Sequence, residues 1–430
     1  MNHRFYRALA FVILALSLSV KPDGLSLKSA IAATLGDYPG LKATEMGIKI
    51  SKEAQRKILA GYLPQISTSL NIDQSPHLSQ TEKFISFHTN QLLWSFDGPL
   101  LKNKQARLHT ARAKFTDKAA RDCARFETTD AFLSAWLSQK KYILTTSLEN
   151  RIREIITHEK LQSDAGITNE TQWQVAYAEQ IGTQTEIENY ADVLTATLAP
   201  LEELTGIQLT MPDKQGKNKM FVGLSFSPGT IKLFTLDKYK KLAQENRKDL
   251  KAKEKEIAAF NTSSTITRSD YLPSVSVTSR LDYSLNNNPL PDTTSKLPLQ
   301  QFYCGLKASM PIFDGFARHF DANIEKSKAV RSTLERDQLL KKIEKDLVVT
   351  HCGLRNLIRD LENKKVYLSA AKQTMSLTLD NYQAGLILKK DLIIAAHKYN
   401  TEQFAWLELV IKAQREHHRL LAQCGYPELA

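Results

Sequence analysis

The residues of this chain that could bind a metal are two adjacent pairs, His417-His418 and His351-Cys352. Imidazole and thiolate are ordinary zinc ligands, but a site needs three or four of them converging on one point. Adjacent residues on a helix point to different faces, so neither pair predicts a metal site. The chain also has no glycine-rich phosphate loop, no GxSxG and no HExxH. We therefore expect no metal, no cofactor and no enzyme activity.

The cysteines lie far apart and form no CxxC pair, which argues against both a zinc knuckle and a disulfide scaffold. They are Cys123, Cys304, Cys352 and Cys424. Because a lone cysteine behaves as a small apolar residue, we expect buried free thiols in preference to disulfides.

The chain of 430 residues has 58 lysines and arginines against 46 acids, a formal net charge of +12. Such a charge suits a nucleic-acid binder, a membrane-surface protein or a conduit for anions. One basic run contains Lys102, Lys104, Arg107, Arg112, Lys114, Lys118 and Arg121. Phe115 is the one Phe, Tyr or Trp within this run, too few for a series of stacked bases, so we expect a solvated helix face and no nucleic-acid partner.

Residues 1–19 predict an export signal peptide. Arg4 and Arg7 precede an apolar run from Ala8 to Leu16, and Ser17-Leu18-Ser19 follows it. This is the order of charged, apolar and small-residue regions in such signals. No cysteine follows this run, so no bacterial lipoprotein anchor is expected. Elsewhere the chain lacks the run of about 18 apolar residues that a spanning helix needs. A mature chain that crosses a membrane would therefore have to use strands.

The chain is a tandem duplication, because markers recur in the same order in its two halves. The matching segments are Tyr62-Leu63-Pro64 with Tyr271-Leu272-Pro273, Phe96-Asp97-Gly98 with Phe313-Asp314-Gly315, Ala165-Gly166 with Ala384-Gly385, and Gly206 with Gly425. The predicted organisation is a first structural repeat at 20–206, a linker at 207–232 and a second repeat at 233–430.

Each repeat contains two segments in which apolar and polar residues alternate with the period of a strand. In the second repeat, Val275, Val277 and Leu281 alternate with polar residues that include Arg280 and Asp282. Turn-forming residues fill the loops between the strands. We therefore predict two amphipathic strands per repeat, each with one apolar and one polar face.

Long helices follow the strands, because residues 312–426 contain no proline. An apolar seam recurs there every seven residues, as a coiled coil requires: Leu340, Leu347, Leu354, Leu361, Leu368, Met375 and Tyr382. After Gly385, a second seam includes Leu392, Tyr399 and Trp406. The longest helix of each repeat would run roughly 100 Å at about 1.5 Å per residue.

Four strands per chain cannot close a membrane barrel by themselves, since single-chain barrels have about eight strands or more. Two chains would give eight strands and a nearly filled interior, whereas three would give twelve and leave room for water. We therefore predict a mixed α and β fold with an internal tandem duplication. A long coiled-coil α-helical barrel would continue a transmembrane β-barrel that is completed by trimerisation.

The chain resembles the TolC family of bacterial outer-membrane efflux proteins over essentially its whole mature length. The resemblance rests on Gly61-Tyr62-Leu63-Pro64, Tyr271-Leu272-Pro273, Phe96-Asp97-Gly98, Pro311-Ile312-Phe313-Asp314-Gly315 and Tyr382-Gln383-Ala384-Gly385. It implies a homotrimer in outer-membrane lipid that extends into the periplasm and docks on a periplasmic adaptor and an inner-membrane transporter. It also implies passive export of small molecules or polypeptide, in tripartite efflux or type I secretion.

The resemblance also implies where the functional positions lie. Gly166 and Gly385 would be the periplasmic hairpin tips that contact the adaptor, and Asp391 would narrow the pore entrance. The plain alternative for Asp391 is an acid that favours a helix start. A second acid found in some members is replaced here by Ile394, and the first-repeat counterpart of Asp391 is Gln172.

Two other functions remain as alternatives. A periplasmic adaptor also pairs an export signal with a long helical hairpin, but it carries one hairpin where this chain has two. A coiled-coil scaffold protein would have no use for four amphipathic strands.

Overall fold

The computed structural model describes residues 24–74, 81–95, 98–164, 170–211, 221, 233–285, 300–387 and 389–426. The expected signal peptide, most of the linker at 207–232 and both loops between paired strands therefore lie outside the described residues. None of the helices in the described ranges combines the length and the apolar character of a membrane span.

Each half of the chain contributes two short helices, two strands and two long helices, in that order. The first half contains α1 (Leu27–Asp37), α2 (Pro39–Ala60), β1 (Gln65–Gln74), β2 (Thr81–Ser95), α3 (Gly98–Asp164) and α4 (Glu170–Thr205). The second half contains α5 (Leu236–Asn246), α6 (Lys248–Ser269), β3 (Ser274–Ser284), β4 (Gln300–Ser309), α7 (Ala317–Gln383) and α8 (Lys389–Gln423). Both α3 and α7 have 67 residues, which confirms the tandem duplication.

The helical segment that opens each repeat is divided into two helices. Tyr38 separates α1 from α2 in an extended conformation, because the ring of Pro39 disfavours helical geometry in the residue before it. Arg247 separates α5 from α6 in the same conformation without a following proline. The break is therefore a property of the repeat, and Pro39 reinforces it in the first half only.

The seven-residue seam of α7 is confirmed as the buried face of that helix. Leu347 and Leu354 are 0% exposed and Leu361 is 5% exposed. In α8, Leu392 and Leu420 are buried as well, whereas Tyr399 and Trp406 are half-buried. A strict heptad repeat keeps one stripe of a long helix facing its partners, and this stripe supplies the core of the helical part.

The chain divides into two compact units, and each unit draws on both repeats. The first unit comprises 1–42, 119–247 and 342–430, and the second comprises 43–118 and 248–341. The core of the first unit packs Phe132 of α3 against Leu194 and Leu201 of α4 and Ile411 of α8. Phe221 joins this core, since its ring lies 4.9 Å from that of Phe132 in an edge-on contact.

The second unit contains a four-stranded antiparallel sheet in the order β1-β2-β3-β4. The helices that enter and leave the strands follow the same order. Gln55 of α2 donates to Asn103 of α3, and Ser264 of α6 donates to the Ala322 carbonyl of α7. Arg112 of α3 and Glu256 of α6 form an ion pair at 3.3 Å. A layer in the order α2-α3-α6-α7 therefore continues the sheet.

The cysteines are free, but only one of them is buried, so that expectation was wrong for three. Cys123, Cys304 and Cys352 are exposed in the single chain, whereas Cys424 is buried. Cys304 lies on the apolar side of β4, between Phe302 and Leu306. Burial raises the pKa of the Cys424 thiol to about 12, which keeps this group protonated at neutral pH.

Candidate functional site: two sheet faces and a helical hairpin

One face of the sheet is apolar and exposed. The register places Leu70 opposite Ile85, Phe87 opposite Leu281, and Leu281 opposite Phe302, so these side chains share a face. Phe302 is 69% exposed and Leu306 is 74% exposed. The predicted alternation of the strands is thereby confirmed, and the face that carries Val277 lacks any cover in the described chain.

The opposite face is polar and holds a network across three strands. The Arg280 side chain donates to Asp282 at 2.7 Å. Ser86, which is fully buried, accepts from Asn71 at 3.4 Å and lies 3.5 Å from the Arg280 guanidinium. Asp282 and Ser86 are register partners, as are His88 and Arg280. The predicted polar face of the strands therefore carries a paired cation and anion.

The hairpin between α7 and α8 turns at Gly385, whose φ is +74°. The backbone N–H of Leu386 donates to the Asn381 carbonyl at 2.9 Å and that of Gly385 donates to Tyr382 at 2.9 Å, the pattern of a helix that ends in a left-handed residue. No heavy atom lies within 4 Å of where a Cβ would stand. The backbone conformation therefore selects glycine here. Its counterpart Gly166 lies outside the described residues.

Asp391 lies in the first turn of α8 and is exposed. Leu392 and Ile393, which follow it, are buried, and Ile393 packs against Ile152 and Ile156 of α3. Ile394 is 52% exposed, one turn after Asp391 on the same side of the helix. The buried pair thus anchors α8 and leaves Asp391 and Ile394 on a free face. The side chain of Gln172, the first-repeat counterpart, is not described.

Sequence reasoning missed a buried acid close to this hairpin. The Glu149 side chain in α3 is 3% exposed. It accepts from Arg153 at 2.6 Å and from Gln180 of α4 at 3.2 Å. Burial by itself would raise the pKa of Glu149, but the hydrogen bonds from Gln180 and Arg153 outweigh it, so the pKa lies below its ordinary value. The only sequence signal was the spacing of Glu149 and Arg153 by one helical turn.

We expect Glu149→Gln to destabilise the helical part by about 1–3 kcal/mol at neutral pH, because hydrogen bonds to a buried charge are replaced by weaker ones. The Glu149 carboxyl has a lower pKa in the folded chain than in the unfolded chain, so its ionisation stabilises the fold at neutral pH. This stabilisation is lost as the pH falls through the pKa of the folded chain. The variant should therefore lose less stability on acidification than the wild type does. Thermal melts at several pH values test this, with the exposed Glu154→Gln as the control; an identical acid profile for Glu149→Gln and wild type would contradict it.

The histidine pairs do not come together as a metal site. The rings of His417 and His418 lie 5.9 Å apart at an interplanar angle of 62°. Burial, and after it the neighbouring His417, lower the pKa of His418 to about 4. The His351 ring donates to the Phe234 carbonyl at 3.0 Å, a structural contact. Throughout the ranges that the structure describes, no three His, Cys, Asp or Glu side chains cluster as metal ligands would.

The comparisons with known proteins agree with this architecture. Residues 240–422 match the model of the family described as "Outer membrane efflux protein". The CmeC outer membrane channel of Campylobacter jejuni has the same fold, with a TM-score of 0.74 at 13% identity over 93% of this chain and 85% of that one. CusC has a TM-score of 0.73 at 15% identity, over 93% of this chain and 92% of its own.

VceC, an outer membrane protein of Vibrio cholerae, superimposes with a TM-score of 0.68 at 14% identity, over 93% of this chain and 97% of that one. No curated protein sequence matches the chain. The family match lies in the second repeat, while the shared fold extends over both. The second repeat therefore matches the outer membrane efflux protein family in sequence, and the chain as a whole has the fold of CmeC, CusC and VceC.

Proposed function

We propose that three copies of this chain form the outer-membrane channel of a tripartite efflux or type I secretion system. The channel is a passive exit duct for small molecules or polypeptide across the periplasm and the outer membrane. One observation carries the proposal: the four-stranded sheet has an exposed apolar face, a polar face and two edge strands, β1 and β4, each with a neighbour on one side only in the described chain. Such edges pair readily with another chain.

The polar network supports an inward position for its face. A paired Arg280 and Asp282 are costly against lipid but acceptable beside water, whereas exposed Phe302 and Leu306 suit hydrocarbon. Three sheets that join β4 of one copy to β1 of the next give twelve strands, enough for a water-filled lumen.

Exposed apolar residues on α7 support the same assembly in the helical layer. Phe320, Ile324 and Leu334 of the second unit are 61%, 50% and 64% exposed and recur at helical spacing. A soluble monomer would not leave such a stripe uncovered, and a neighbouring copy of the chain covers it in the proposed trimer.

The experiment is to extract the chain from membranes in mild detergent, measure its mass, and record conductance after reconstitution into planar bilayers. We expect a trimer that forms water-filled pores. A monomer in detergent, or a trimer that does not conduct under any voltage, overturns the proposal.

The partners that we propose are a periplasmic adaptor and an inner-membrane transporter. The hairpin turn at Gly385 presents its backbone to solvent, which suits contact with the helical ends of an adaptor. Gly166 is proposed for the same role in the first repeat. Crosslinking from Leu386, which is 74% exposed beside the turn, followed by identification of the captured protein tests this arrangement.

Asp391 is proposed as the acid that narrows the periplasmic entrance. Three carboxylates near a threefold axis would hold a divalent cation weakly, at about 10⁻⁴–10⁻³ M, since Ile394 provides no second acid. We expect such ions, added from the periplasmic side, to reduce conductance, and Asp391→Asn to abolish the block. Asp360→Asn, an exposed acid on α7, is the control and should keep it. If Asp391→Asn retains wild-type sensitivity, Asp391 only favours the helix start.

A further inference from the structure

A basic face extends along α2 and α3 in the second unit. Its members are exposed lysines and arginines at helical spacing: Lys49, Lys52 and Arg56 on α2, and Lys104, Arg107, Lys114 and Lys118 on α3. Between Lys104 and Lys118 the face is about 21 Å long, at 1.5 Å per residue. We call these seven residues the basic face.

The two helices turn their basic residues to the same side. Ser51 pairs with Thr110 and Gln55 with Asn103, so the helices are antiparallel. Lys52 directly follows Ser51, and Lys104 directly follows Asn103. Each successive residue is rotated by about 100° around its helix axis. In two antiparallel helices that lie side by side, the residue directly after a contact residue therefore points to the same side of the pair in both helices.

That side is the one turned away from α6. Lys102, which directly precedes Asn103 and is therefore rotated in the opposite sense, reaches Asp270 at 3.9 Å, just beyond the end of α6. Arg112 also reaches α6, at Glu256. The contacts of α3 with its two neighbours thus lie on one side of the helix, and the basic face lies on the other, convex side of the α2-α3-α6 layer.

The basic face has few counter-charges of its own. Arg56 is paired with Glu53 at 2.7 Å, and Glu45 lies at one end of the face. The remaining six basic residues form no ion pair with any residue that the structure describes. This arrangement concentrates positive potential on one surface, which attracts anions from solution.

The duplication shows that the fold does not require this charge. The contact between Gln55 and Asn103 recurs in the second repeat as Ser264 with Ala322, which aligns the two helix pairs. The positions equivalent to the basic face are Ala258, Asn261, Thr265, Asn323, Lys326, Thr333 and Asp337. One cation and one anion replace seven cations. The basic face is therefore a specialisation of the first repeat.

We infer that the basic face binds a carboxylate-bearing polymer of the cell wall that lies along the outside of the channel. The inference rests on the proposed function for its position in the periplasm, where the convex side of a helical tube faces outward. Five of the seven residues are lysines, whose compact charges suit a flexible polyanion better than a single planar group.

The shape of the face argues against other partners. The basic face extends along α2 and α3, which continue the strands. A bilayer crossed by the strands would therefore reach only the end of the face that is nearest to the strands. Between Lys104 and Lys118 the large apolar side chains, Leu108 and Phe115, are half-buried, so this stretch offers little of the exposed apolar surface that forms the core of a protein interface. A linear polymer held by electrostatic attraction fits both properties.

The test is co-sedimentation of the purified trimer with insoluble cell-wall sacculi at low and high salt. The variant carries Lys104→Gln, Arg107→Gln, Lys114→Gln and Lys118→Gln. The matched control removes four other exposed lysines of the helices, by Lys326→Gln, Lys342→Gln, Lys345→Gln and Lys372→Gln. We expect wild type and control to bind at low salt, and the basic-face variant to bind about tenfold less. High salt should release the wild type, because exposed charges are screened.

Trimer mass and bilayer conductance are measured for all three proteins, so that a failed channel is distinguished from a failed docking surface. Equal sedimentation of variant and wild type overturns the inference, as does a wild type that never sediments with sacculi. A wild-type protein that floats with vesicles of anionic phospholipid but does not sediment with sacculi would assign the basic face to a bilayer. That result would also overturn the inference.

Discussion

Leu354→Ala is expected to destabilise the folded protein by about 2–5 kcal/mol per chain. Leu354 lies on the buried seam of α7 and is 0% exposed, so truncation removes packed methyl groups and leaves a cavity. The measurement is thermal or denaturant unfolding of the purified protein. Leu361→Ala, at 5% exposure, should behave similarly.

The matched control at this position is Leu354→Met, which conserves volume and should cost less than about 1.5 kcal/mol. A melting temperature for Leu354→Ala equal to that of the methionine variant would show that the seam does not carry packing energy.

Gly425→Ala is expected to destabilise the first unit by about 2–5 kcal/mol, for two reasons that add. Gly425 has a φ of +74°, which costs an L-residue about 1–2 kcal/mol. A Cβ there would also stand 2.9 Å from the Asn246 carbonyl oxygen and 3.2 Å from the Arg247 Cα, and overpacking of this kind costs about 1–3 kcal/mol.

Its repeat partner supplies the control. Gly206 has a φ of +68° but no heavy atom within 4 Å of a built Cβ, so Gly206→Ala should cost only the backbone part, about 1–2 kcal/mol. Equal losses of stability in the two variants would show that the close approach to Asn246 relaxes without cost.

Periodicity in the sequence was sufficient to predict the helices and strands. The heptad of Leu347, Leu354 and Leu361 predicted the buried stripe, and the alternation around Val277 and Arg280 predicted the two faces of the sheet. Both predictions succeed because a side chain's direction follows directly from its position in a regular element. The breaks at Tyr38 and Arg247 were both missed, although Pro39 after Tyr38 indicates the first of them.

The candidate site was less accessible to sequence reasoning. Asp391 was identified by resemblance, but its exposure depends on Leu392 and Ile393, which fix the rotation of α8 by packing. The buried Glu149 was missed because its partner Gln180 comes from another helix. Contacts between helices depend on how each helix is rotated and shifted against its neighbour, which local periodicity does not specify.

The sequence by itself determined the duplication, the number of strands and the long seams, because each is a repeating pattern along one chain. Only the tertiary structure decided which polar groups share a surface. Lys52 and Lys104 are far apart in the chain, and they come together since the contacts of Ser51 and Gln55 set the register of α2 against α3. That register is a property of packed side chains from two segments, so a surface such as the basic face exists only once the helices are assembled.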